Sequence, residues 1–141
     1  MTLNYILEQL RLKGYRATEP RRIILTVLLK QIHTVLSADE LYLLVKVEDK
    51  KVNRSTVYRN LEILTELELL YKTITDQGIT KVKLICSDEH HHHLICDICG
   101  KIVVFHNCNS TYYNEFAKSH GFTLTGHTLE LHGLCSSCKN S

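Results

Sequence analysis

Two CxxC pairs constrain this chain more than any other feature: Cys96-Asp97-Ile98-Cys99 and Cys135-Ser136-Ser137-Cys138, with 35 residues between them. Each pair presents two thiolates to one ion, and two pairs complete a tetrahedral S4 site of the structural zinc type. A redox CxxC does not need a second copy. The separation exceeds that of a treble-clef finger, so a small domain must fold between the pairs.

Composition sharpens the division. The 141 residues suffice for one ordinary domain or two small ones, with 44% hydrophobic and 23% charged residues. Residues 1–85 carry a net charge of +4, and residues 86–141 a net charge of −2. All six cysteines and eight of the nine histidines fall in the second part; His33 is the exception. The expected domains are therefore a mildly basic one over 1–85 and a metal-ligand-rich one over 86–141. Met1 to Lys13 is amphipathic and lacks the apolar core of a signal peptide, and no run approaches the ~20 apolar residues of a membrane span. The expectation is a cytoplasmic protein without a membrane partner. Clustered cysteines there bind metal or do redox work more often than they form disulfides.

His90-His91-His92-His93 runs directly into Leu94-Ile95-Cys96. On a strand, His91 and His93 face one way and His90 and His92 the other, so one run can feed two sites; the bland alternative is a solvated strand edge. Cys86 lies ten residues before Cys96 and, with His91 and His93, offers an S/N/N donor set. Thiolate with imidazole favours Zn(II) over Mn(II), and less decisively over Fe(II); a buried, inert Cys86 is the alternative. Strands are expected over Gly100 to Phe105 and Phe122 to His132, the latter carrying His127. Between them a helix from Ser110 to His120 turns Tyr113, Phe116 and Ala117 inward.

The first half reads as helices followed by a hairpin. Tyr5 to Tyr15 carries Ile6, Leu7, Leu10 and Leu12 mostly on one side, with Gly14 near its end. Thr18 caps a second helix with Pro20 in its first turn. Ser37 and Glu40 form a capping box for a third. Asn53 to Thr56 opens a fourth, with Val57, Leu61, Leu64 and Leu67 as its buried stripe and Ser55, Tyr58, Arg59 and Glu62 outside it. Tyr71 to Thr75 and Ile79 to Ile85 flank the turn Asp76-Gln77-Gly78, and Lys81 and Lys83 alternate with Val82 and Leu84, giving one basic and one apolar face. This is the order of a winged helix-turn-helix, which lays one helix in the major groove of double-stranded DNA. Arg59 suits guanine acceptors, Tyr58 a thymine methyl or phosphate, and the Ser55 and Thr56 hydroxyls phosphate.

The segments HHHHLICDICGK (90–101), GHTLELHGLCSSC (126–138) and NRSTVYRNLEIL (53–64) together resemble the ferric uptake regulator family over nearly the whole chain. The resemblance implies an α+β chain: an N-terminal winged helix-turn-helix, then a C-terminal α/β dimerisation domain with a structural zinc site. It implies a dimeric, metal-dependent repressor acting on palindromic operators, not an enzyme. Cys86 with His91 and His93 is similar to the sensory site of the zinc uptake branch. That branch places its fourth ligand where Tyr71 stands here, leaving His33, Asp76, Glu89 or water as candidates. A further family site corresponds to His90, His92 and His127; its helix glutamate is replaced by Thr111, and His106 and Cys108 are candidates to complete it. Arg16, Tyr42, Tyr58 and Arg59 match DNA-contacting positions. Zinc sensing at zinc-uptake genes is therefore expected, with a Fe(II)-sensing or iron-mediated peroxide-sensing regulator, or Mn(II) as regulatory metal, as the alternative. Peroxide sensors carry an Asp where Val104 stands, which counts against that branch. Rival chemistries lack their motifs: there is no HExxH for a zinc hydrolase, and the only proline, Pro20, precludes the PCxxC of a nucleobase deaminase.

Overall fold

A computed structural model of the chain describes residues 2–85 and 90–140. Cys86 and Glu89, both expected near a sensory site, lie outside the described residues. The chain divides into two compact units, Met1–Asp88 and Glu89–Ser141.

The first unit contains α1 (Leu3–Leu12), α2 (Glu19–Lys30), α3 (Ala38–Glu48), α4 (Arg54–Glu66) and the strands β1 (Leu70–Ile74) and β2 (Thr80–Leu84). Each helix starts where its sequence supplies an acceptor. Thr2, Thr18, Ser37 and Asn53 cap α1 to α4 in order, each side chain accepting a first-turn backbone N–H. Ser37 and Glu40 close the capping box from both sides, at 3.1 and 2.7 Å. Ile6, Leu10, Ile24, Leu28, Leu41, Val45, Val57 and Leu64 are buried in one core shared by all four helices. β1 and β2 pair antiparallel from Leu70↔Leu84 to Ile74↔Thr80. Gly78, at φ +79°, supplies the left-handed residue of their turn. Leu36 and Val82 exchange backbone hydrogen bonds of 2.9 and 2.8 Å, so the segment before α3 docks on the hairpin. Helices followed by such a hairpin make a winged helix-turn-helix.

The second unit is an α/β layer. β3 (His92–Cys96) is central, antiparallel to β4 (Ile102–Phe105) and parallel to β5 (Glu130–Gly133), with α5 (Ser110–Ser119) in the crossover and α6 (Ser136–Lys139) after β5. Its apolar core is thin: among the described residues, Ile95, Cys96, Ile102 and Ala117 are its buried hydrophobic ones.

Five expectations are corrected. Leu12 is 71% exposed, because α1 ends there and Gly14 turns the chain away. Lys81 and Lys83 do not present a basic face: both are buried, and the Lys81 ammonium reaches Glu40 at 3.3 Å. Phe116 is exposed because α5 packs through Ala117, leaving Phe116 in an outer row with Tyr112 and His120. The strand expected over Phe122 to His132 pairs only at Glu130–Gly133; residues 122–129, His127 included, have no ladder partner on β3. In α4, Leu67 is the C-cap and only partly buried, while Asn60 and Ile63 are buried.

Candidate metal centres and nucleic-acid interface

The first cluster joins the two CxxC pairs. Cys96 ends β3, and the turn to Cys99 is followed by Gly100 at φ +75°. Cys135 is the N-cap of α6 and Cys138 lies within it. The four sulfur atoms lie within 4.8 Å of one another, with Cys99 and Cys135 at 3.8 Å. Four thiolates on one zinc ion at 2.3 Å stand about 3.8 Å apart. The donor set therefore fits a tetrahedral S4 ion with little movement.

The electrostatics agree. The Cys96 thiol is drawn down to about 6, first by the backbone N–H of Cys135, which donates to its sulfur at 3.4 Å, then by the N–H of Cys99. Cys135 is lowered as well, chiefly by the N–H of Cys138. Cys138 is pushed up to about 12, mainly by its hydrogen bond with Cys135. Donors are thus arranged to hold negative charge on part of the set, and a divalent cation would release the remaining protons. Beside the cluster, His132 bridges Asp97 at 2.8 Å and Glu130 at 3.0 Å, tying β5 to the first knuckle.

The histidine run alternates as a strand requires. The His90 and His92 rings meet at 4.7 Å, and those of His91 and His93 at 4.8 Å. His90 and His92 lie by His127, at 4.7 and 5.3 Å between ring centroids. Cys108, in the loop before α5, approaches His127 Nε2 at 3.1 Å. The ligand atoms of His90, His92, Cys108 and His127 lie within 4.8 Å of one another. Burial, and after it the neighbouring His90, holds the His92 imidazole below its ordinary value, favouring the neutral ring that metal ligation needs. His106, the other sequence candidate, is exposed and outside this cluster. His91 and His93 stand together on the other side of the strand, and their expected partner Cys86 is outside the described residues. Among the described residues, His33 and Asp76 join neither cluster. Tyr71 sits opposite Lys83 on the hairpin, with the ammonium 5.9 Å from its ring.

The second surface lies on α4. Tyr58 and Arg59 are exposed, and with Tyr15, Ser55, Thr56 and Glu62 they line an open groove of about 680 Å³. Asn53 Oδ1 accepts from the Thr56 N–H at 2.9 Å and from both the Ser55 and Thr56 hydroxyls at 2.8 Å. The hydroxyl protons expected to serve phosphate are engaged in the cap, together with the Thr56 N–H. Sequence reasoning missed the residues behind this surface. Asp39 accepts from the Tyr58 hydroxyl at 3.1 Å and pairs with Arg54, whose guanidinium stacks 4.9 Å from the Tyr42 ring. Arg21 donates to the buried Asn60 at 2.7 Å and to the backbone oxygen of Arg16, fixing the exposed turn that carries Arg16. The signals available were only a carboxylate in a helix first turn and a polar residue in an apolar stripe.

The description "Ferric uptake regulator family" matches residues 12–132. The chain is 36% identical over 134 residues to the ferric uptake regulation protein of Campylobacter jejuni, covering 93% of this chain and 84% of that protein. It is 31% identical over 132 residues to the peroxide-responsive repressor of Staphylococcus saprophyticus, covering 93% and 87%. The structure of the Helicobacter pylori ferric uptake regulator, described as having three functional metal-binding sites, superposes with a TM-score of 0.80 at 29% identity, over 100% of this chain and 96% of that one. No helix of the described residues is long and apolar enough to cross a membrane. A winged helix with an exposed α4, a second unit with two metal-ligand clusters, and matches spanning almost the whole length leave one conclusion: the chain belongs to the ferric uptake regulator family, metal-dependent DNA-binding transcriptional regulators rather than enzymes.

Proposed function

We propose that this chain is a metal-activated repressor that binds palindromic operator DNA as a homodimer, and that Fe(II) is the metal it senses. The observation that carries the repressor reading is α4, a capped helix presenting Tyr58 and Arg59 on an open groove of a winged-helix unit, with Tyr15, Ser55 and Thr56. Arg59 would read guanine acceptors while the first turn of α4 positions the unit on phosphate. The homodimer is supported by a row across the three-stranded sheet: Val103, Leu94 and Leu131 are register partners and each is at least 40% exposed. A row of this kind on a single chain is a face awaiting a partner.

Iron stands first because the named relatives are iron-uptake and peroxide-responsive regulators. This reverses the order of metals expected from the sequence. Peroxide sensing through bound iron is the less favoured form, given Val104 where peroxide sensors carry an Asp. Zinc remains a second reading on one specific ground, the sulfur and imidazole donors Cys86, His91 and His93, a set that suits Zn(II) better than Fe(II). In either case a bound ion would favour the arrangement of the dimer whose two recognition helices match a palindromic operator. The bound ion supplies preferential binding to one arrangement; moving that population from 1:99 to 99:1 takes about 5.5 kcal/mol.

Gel shifts on a palindrome-bearing uptake promoter at fixed salt, in separate series of buffered Fe(II), Zn(II) and Mn(II), test the proposal. Operator binding that switches on at physiological free Fe(II), with zinc needed only for the Cys96/Cys99/Cys135/Cys138 site, supports iron. Switching at far lower free zinc, abolished by Cys86→Ala in a folded dimer, establishes the zinc reading instead.

A further inference from the structure

We infer that Cys108 is a metal ligand, completing with His90, His92 and His127 a His3Cys site that takes Zn(II)-class cations in preference to Fe(II) or Mn(II). The inference concerns a site separate from Cys86, His91 and His93 and holds whichever metal is the signal.

Three observations meet at this place. The four ligand atoms lie within 4.8 Å of one another, and Cys108 Sγ is already 3.1 Å from His127 Nε2. Nitrogen and sulfur ligands on one tetrahedral zinc ion stand about 3.5 Å apart, so closing the set needs shifts of about 1 Å. His92 is 2% exposed, and its Nε2 is buried without a hydrogen-bond partner. A buried polar atom left in that state is costly unless something binds it. The local fold also brings the ligands from three separate segments. His92 opens the central strand and His90 stands two residues before it, Cys108 comes from the loop that leads into the Asn109 cap of α5, and His127 from the segment that no strand holds. An ion here would pin α5 and residues 122–129 to the sheet, where apolar packing supplies little beyond Ala117.

The sulfur decides the class of cation. Three imidazoles alone accept Fe(II), Zn(II) or Ni(II), but replacing an oxygen ligand with a thiolate shifts preference toward the softer, tetrahedral ions. Thr111, at the first turn of α5, offers no competing carboxylate.

The test uses the full chain carrying Cys86→Ser, with one zinc ion per chain verified in the Cys96/Cys99/Cys135/Cys138 site before and after titration, and Co(II) as the probe. The expected result is a near-ultraviolet thiolate-to-Co(II) band together with the visible bands of tetrahedral Co(II). Cys108→Asp in the same background keeps four ligands, so Co(II) still binds, but the thiolate band disappears and the preference for Zn(II) over Mn(II) falls by at least about tenfold. Unchanged far-ultraviolet circular dichroism shows that the variant is folded. A parent protein that binds Co(II) without the thiolate band overturns the inference. So does a band of the same intensity in Cys108→Asp with the structural zinc retained.

Discussion

Asn60 shows how single side chains support the surface proposed to meet DNA. It is buried in α4, donates to the Thr56 carbonyl at 2.8 Å and accepts from Arg21 at 2.7 Å. Asn60→Ala leaves a part-buried guanidinium nitrogen unpartnered. It should cost about 1–3 kcal/mol in urea unfolding, and it should weaken operator binding because Arg21 also anchors Arg16; a variant of unchanged stability would contradict this. Nothing in the sequence marked Asn60, since a polar residue in an apolar period reads as surface. His132 carries a pH signature. The Asp97 carboxylate raises its imidazole above the ordinary value, with Glu130 assisting against the effect of burial. A folded value above the unfolded one, about 6.5, means that its stabilisation is fully present below that pH and fades as pH rises through the folded value. Melting of wild type and His132→Gln at pH 6 and pH 8 should therefore show the larger gap at pH 6. Equal gaps would mean that His132 does not titrate against these carboxylates.

Elements were legible where local chemistry fixes them and obscure where distant packing does. Ser37 and Glu40 announce the start of α3 because a capping box is local, and the hairpin turn at Gly78 follows from its backbone conformation. The partner of Lys81 could not be read, since alternation along a strand says nothing of what lies across it. Glu40 serves both roles, and substitution separates them. Gln retains the capping hydrogen bond but not the charge facing Lys81, whose side chain is 8% exposed. Glu40→Gln should destabilise by about 1–3 kcal/mol, less than a fully buried pair because Glu40 is half exposed. Lys81→Met should restore most of that loss; further destabilisation in the double variant would show that the pair does not account for it. The segment 122–132 failed as a strand for the converse reason: its composition is extended, but only Glu130–Gly133 finds a ladder on β3. His127 is consequently placed by its ring neighbours rather than by a strand.

At the scale of the molecule, the two units rest on different physics. The first has a core shared by four helices and needs no ion to explain it. The second buries few apolar side chains, and small units of this kind depend on staples. Treatment with a strong chelator, or Cys135→Ser, should therefore lower the melting of the second unit while the helices of the first persist, giving two separated transitions. A single transition at the original temperature would show that the S4 site adds nothing to folding. The CxxC pairs and the histidine run exposed this dependence in the sequence because metal ligands are few in kind and regular in spacing. Cys108 was only one of two candidates, since its approach to His127 depends on the β4–α5 loop. The identity of the sensed metal was not legible in the same way, because imidazole serves several ions and the relatives and the donor set point to different ones.

The most direct test of the central claim is operator affinity of the full chain measured by fluorescence anisotropy at fixed salt, with the Cys96/Cys99/Cys135/Cys138 site kept filled and the exchangeable metal first removed and then restored. The account predicts that affinity rises at least about 100-fold on restoring metal, returns to its low value on chelation, and is lost in Arg59→Ala with metal present. Tight operator binding that is indifferent to exchangeable Fe(II), Zn(II) and Mn(II) would contradict it.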